Sequence, residues 1–110
     1  MIIDHKQNYI IVRDEKEDVS DFALYLMKNQ DKFSNKNVVV DLLKYGELTL
    51  HELLEFLKLS DSHRKSGHSF VIVNDTINID SVPEEINVVP TLQEAEDLIS
   101  LEEIERDLGF

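Results

Sequence analysis

Apolar residues along this chain fall into short runs separated by charged or turn-forming stretches. Ile2–Ile3 and residues 9–12 bracket a Lys-Gln-Asn turn, a pattern that predicts a β-hairpin. Residues 19–33 predict a helix capped by Asp18, with Phe22, Tyr25, Leu26 and Phe33 on one face. Residues 38–42, VVVDL, form an apolar run interrupted only by Asp41 and read as a strand covered on both faces. Residues 50–65 predict one helix that Gly67 stops. Residues 70–73 and 86–89 predict two further strands, and residues 91–108 a last helical stretch.

Strands alternating with helices of this length imply crossover connections and a largely parallel sheet. The N-terminal hairpin adds an antiparallel edge. Between Val73 and Ile86 there is room for about one helical turn, which Pro83 can start.

Three helix starts share one device. T-L-H-E (Thr49, Glu52), T-L-Q-E (Thr91, Glu94) and S-L-E-E (Ser100, Glu103) all match a capping box, in which hydroxyl and carboxylate each satisfy a backbone N–H. The third lies inside the last helical stretch. There the apolar stripe changes phase, from Leu92, Ala95 and Ile99 to Leu101, Ile104 and Leu108. A break near Ser100 is expected, with Gly109 ending the second piece.

In the second helix, Leu50, Leu53, Leu54 and Leu57 read as the inward stripe. At about 100° per residue, Phe56 and Leu59 then point roughly opposite. Two explanations stay open for such a face: cover by a neighbouring helix, or a docking or self-association patch.

Composition narrows the chemistry. A chain of 110 residues with 42% apolar content builds one modest core. Absence of cysteine excludes a disulfide scaffold and a thiol nucleophile. Its net charge of −12 disfavours nucleic acid and anionic membranes as partners. Residues 91–110 hold seven acids against Arg106 alone, a net −6, which reads as a solvated face or a docking surface for a basic partner. No signal peptide or membrane-spanning run is apparent.

Little points to catalysis. His5, His51, His63 and His68 form neither H-x-H-x-D-H nor H-E-x-x-H, and no metal or other cofactor is expected. Gly46, Gly67 and Gly109 make no phosphate-binding loop. The basic cluster His63, Arg64, Lys65 and His68 either sits favourably at a helix C-terminus or forms a small anion or acidic-partner patch.

Two segments carry a family likeness. VVVDL at residues 38–42 leads through a loop to the helix opening at Thr49. INVVPTLQEAEDLI at residues 86–99 is a strand running into a threonine and then Glu-Ala. With the order of elements, they resemble a STAS domain, the module of anti-sigma factor antagonists and sulfate-transporter tails, over most of the chain. The resemblance implies a single α/β domain over residues 1–110: a hairpin, a mostly parallel sheet of about four or five strands and about four helices. Residues 100–110 would be a C-terminal helical extension. It further implies a non-enzymatic, cytoplasmic protein–protein interaction module of bacterial regulation. The partner would be an anti-sigma factor or kinase-like protein, bound through the second helix.

STAS domains carry Asp-Ser-Ser-Gly at that helix start, and a partner kinase phosphorylates the serine. Counted from Asp41 without gaps, those places hold Thr49, Leu50, His51 and Glu52, so neither serine is present. Thr49, His51 and Glu52 therefore stand as a candidate regulatory helix start, with Thr49 either a plain cap or a phosphosite. Phe56 and Leu59 stand as the candidate partner surface. A small-molecule or anion-binding domain and a homodimeric subunit are the rival expectations.

Overall fold

The β-branched runs form the strands: β1 Ile2–His5, β2 Ile10–Arg13, β3 Val38–Asp41, β4 Phe70–Val73 and β5 Asn87–Val89. They line up in the order β1-β2-β3-β4-β5 in a computed structural model that describes residues 1–109; Phe110 lies outside the described residues. β1 and β2 pair antiparallel, with Ile3 opposite Val12, and every later pair is parallel. The mixed α/β architecture expected from the sequence is thus present.

Successive side chains along a strand point to opposite faces. Ile10, Val12, Val38, Val40, Phe70 and Ile72 build one core. Ile11, Val39, Val71 and Val73 build the other. Strands added in sequence order by right-handed crossovers place their helices on one face. So α1 (Val19–Lys28), α2 (Leu50–Leu54) and α3 (Leu57–Lys65) pack on the first core. The final helix, α4 (Leu92–Asp107), crosses the second with Ala95 and Ile99.

Several helix details differ from expectation. Asp18 does cap α1, accepting from the Ser20 and Asp21 N–H groups at 3.0 and 3.2 Å. But α1 ends at Lys28, a 3₁₀ turn Gln30–Lys32 follows, and Phe33 is buried beyond it. Tyr25 faces solvent while Ala23 takes the inward place.

The helix expected over residues 50–65 is two helices. Glu55 and Phe56 turn tightly, their N–H groups bonding three residues back to Glu52 O and Leu53 O at 3.3 and 3.0 Å. The buried stripe is Leu53, Phe56, Leu59, Ser60 and His63. Phe56 and Leu59, read as an outward partner surface, are therefore core, at 0% and 2% exposure. The inward face contains polar side chains. Ser60 Oγ donates to Glu85 O at 3.0 Å, and the His63 ring meets the Lys36 carbonyl. Counting both as surface rotates the apparent stripe onto the wrong leucines.

No break occurs at Ser100, because α4 runs unbroken for 16 residues. Thr91 caps it, accepting from Glu94 N at 3.1 Å. Residues 100–107 continue the helix rather than forming a separate extension. No helix among the described residues is long and apolar enough to cross a membrane.

Candidate functional site

The loop from β3 to α2 is fixed by side chains rather than left open. Gly46 sits at φ 60°, ψ −122°, a backbone region that residues with a Cβ avoid. Its carbonyl accepts from Asn74 Nδ2 at 2.8 Å and Thr76 Oγ1 at 3.0 Å. Asn74 also donates to Leu42 O, and its Oδ1 accepts from Thr76 N, so one buried amide ties both loops together. Leu48 is buried just ahead of Thr49 and anchors the helix entry.

Thr49 then makes a complete capping box. Its hydroxyl accepts from Glu52 N at 3.1 Å, and Glu52 Oε1 accepts from Thr49 N at 3.0 Å. The same carboxylate lies 3.1 Å from the Thr49 hydroxyl. A phosphate on Thr49 would meet that carboxylate at the end of a helix only five residues long. Local geometry therefore favours a cap. His51 projects into solvent on the next turn, 3.9 Å from Glu55, whose carboxylate accepts from Ser20 Oγ at 2.9 Å.

Leucines that were expected to face inward line the outside of this segment. Leu50 and Leu54 are 41% and 36% exposed, and Leu57 is half-buried. Leu50 and Leu54, four residues apart, share one side of α2, while Leu57 opens α3 and packs partly against the core. Leu54, Leu57, Lys58, Asp61 and Glu85 line a shallow depression of about 560 Å³.

At the carboxyl ends of the parallel strands, where open α/β sheets commonly bind ligands, the polar groups are spent on one another. Arg13 Nε donates to Asp41 at 2.8 Å, and its guanidinium also holds Asp4. Tyr45 donates to Asp14 at 2.6 Å; burial, then that bond, pushes its phenol pKa well up.

Of the basic cluster, the His63 and His68 rings lie 5.7 Å apart, while Arg64 and Lys65 turn to other partners. His63 is buried, its ring 6.3 Å from Phe33 and 5.9 Å from Phe70. Burial pushes its pKa below the ordinary value, with the Lys36 carbonyl opposing. Arg64 donates to Glu85 O at 2.8 Å, and Lys65 pairs with Asp61 at 3.1 Å. His68 instead joins His5, Lys6, Asn35 and Lys36 around a cleft of about 280 Å³ whose lining holds no carboxylate. Among the described residues, no cluster of His, Asp and Glu is arranged to hold a metal ion.

One constellation escaped the sequence reading. Buried Asn37, ahead of β3, donates to Asn8 O at 2.9 Å and to Glu103 at 2.6 Å. Its Oδ1 accepts from Ser69 N at 2.8 Å and from Arg106 at 3.4 Å. Arg106 also reaches Ser69 Oγ at 3.3 Å. The available signal was a single arginine in an otherwise acidic helix.

No family model matches the chain, and no curated protein matches it.

Proposed function

We propose that the chain is a non-enzymatic, STAS-like protein–protein interaction module that binds its partner on the outer side of α2. The observation that carries this is the solvent-facing pair Leu50 and Leu54 on a helix whose entry is rigidly held, with half-buried Leu57 beside them at the start of α3. Exposed Glu47, Asp61 and Glu85 outnumber the one exposed cation beside these leucines, Lys58. A partner with an apolar patch and a basic rim fits this face best. By family likeness that partner is a kinase-like or anti-sigma-factor-like protein. Thr49 serves as the cap that starts the helix, a role that needs no phosphorylation.

The test is capture of a partner from native lysate with wild type, Leu50→Asp and Leu54→Gln as baits, each melted in parallel. The proposal expects a specific protein held by wild type and lost with both variants at unchanged melting temperature. Capture that ignores both substitutions, or a wild type that holds only itself, sinks it.

A second reading rests on the cleft beside His68. Lys6 and Lys36 have no side-chain partner among the described residues, and no acid lines the cleft in a chain with 23 acids. A small anion would suit it. Stabilisation by phosphate that disappears in a Lys6→Gln, Lys36→Gln double variant would favour this reading, since a ligand bound only by the fold raises the melting temperature.

A further inference from the structure

Helix α4 carries two apolar stripes, one in each half, on opposite sides. In the first half, Ala95 and Ile99 are fully buried against the sheet. In the second half, Leu101, Ile104 and Leu108 face solvent at 52%, 56% and 66% exposure. Spacings of three and four residues place these three on one side of the helix. Polar groups hold the opposite, inward side. Glu103 accepts from Asn37 and Asn8, Glu102 from Asn87, and Arg106 donates to Ser69 and Asn37.

A helix built only to cover its own sheet would have the reverse arrangement, with leucines inside and acids outside. Here the inward contacts lock the rotation of α4. Turning Leu101 and Ile104 inward would strip partners from Asn37 and Ser69, both buried, and such groups are costly to leave unpaired. The apolar row is thus held outward by specific bonds.

Charge around the row narrows what covers it. Asp97, Glu105 and Asp107 are exposed on its turns. Arg106 is the only cation in residues 91–110, and it is turned to the sheet. A second copy packed row against row would bring these acids towards their own counterparts.

We propose that the C-terminal half of α4 is a docking surface for a basic amphipathic helix of a partner protein, seated on Leu101, Ile104 and Leu108. Apolar residues at i, i+3 or i+4 and i+7 of that helix would meet the row. Its flanking lysines or arginines would meet Asp97, Glu105 and Asp107. This surface lies across the sheet from α2 and does not depend on what α2 binds.

Fluorescence anisotropy with the full chain tests it, using a labelled helical peptide with a leucine stripe and lysine flanks. One control peptide keeps the stripe but has glutamate flanks. Another keeps the lysines but has serine in the stripe. The proposal expects binding of the first peptide alone. Affinity should fall about tenfold or more in an Ile104→Asp, Leu108→Asp variant. A Glu105→Lys, Asp107→Lys variant should weaken binding and flatten its salt dependence, while Leu50→Asp changes nothing. Melting curves keep loss of fold distinct from loss of binding. It is overturned by equal binding of either control peptide, by binding indifferent to Ile104 and Leu108, or by no binding. Wild-type self-association abolished by Ile104→Asp overturns it in favour of a second copy.

Discussion

Replacing Phe56 by alanine tests the assignment of the second helix most directly. Phe56 is fully buried where α2 passes into α3, and its ring meets Phe22 edge-on with centroids 6.5 Å apart. Removing it leaves a cavity between α1 and both pieces of the broken helix. Loss of a buried phenylalanine side chain costs about 3–5 kcal/mol. A domain of this size has about 5–15 kcal/mol to lose. With a urea m-value of about 1.5 kcal/mol/M, the unfolding midpoint should fall by about 2–3 M. Leu50→Ala, on the outer side, should cost about 1 kcal/mol or less. The assay is urea unfolding followed by far-ultraviolet circular dichroism, with m compared between variants. If Phe56→Ala costs under about 1 kcal/mol while Leu50→Ala costs more, the buried and exposed sides are interchanged, and the reasoning about α2 fails with them.

Other perturbations probe single features. Thr49→Ala should lower stability by about 1 kcal/mol through loss of the cap, whereas Thr49→Asp, itself a good cap, should stay near wild type in the same urea experiment. Asn37→Ala should cost about 2–4 kcal/mol, because it leaves the buried Ser69 N–H without its acceptor as well as releasing Arg106 and Glu103. His63 is held neutral by burial, with a pKa below its ordinary 6.5, so the unfolded chain takes up the proton more readily than the fold. Its contribution is therefore fully present above about pH 6.5 and is lost as the pH falls below that. Melting temperatures from pH 7.5 to 5 should drop more steeply for wild type than for His63→Gln, and parallel curves would refute the point.

Much of the architecture could be read from the chain because its signals are local. Residues 38–40 and 70–73 are apolar throughout and sit in β3 and β4, buried on both faces. Gly67 closes the second helical segment at φ 87°. The side of α2 and α3 that faces inward depends on partners far away in sequence. Ser60 is buried because Glu85 offers a carbonyl, and His63 because Lys36 does. Neither acceptor is visible from residues 50–65. The competing stripe through Leu50 and Leu54 contains leucines alone, yet it faces outward. Likewise nothing local marks Asn37, whose partners lie 29 to 69 residues away.

The phase change in α4 shows how one sequence signal admits two structures. A stripe that shifts from Leu92, Ala95, Ile99 to Leu101, Ile104, Leu108 can be satisfied by bending the helix, so that both halves face the sheet. It can also be left unsatisfied by a straight helix that turns its second half outward. Bending would bury the leucines but would abandon the bonds of Glu103 and Arg106 to Asn37 and Ser69. The chain keeps one unbroken helix with its second half turned outward. Leu101, Ile104 and Leu108 then contribute little to the isolated fold, which makes them cheap to replace by polar residues. The row on α2 has the same property at Leu50. With the sheet between them, the two rows share no side-chain contacts, so substitutions on one should leave the energetics of the other additive within about 0.5 kcal/mol.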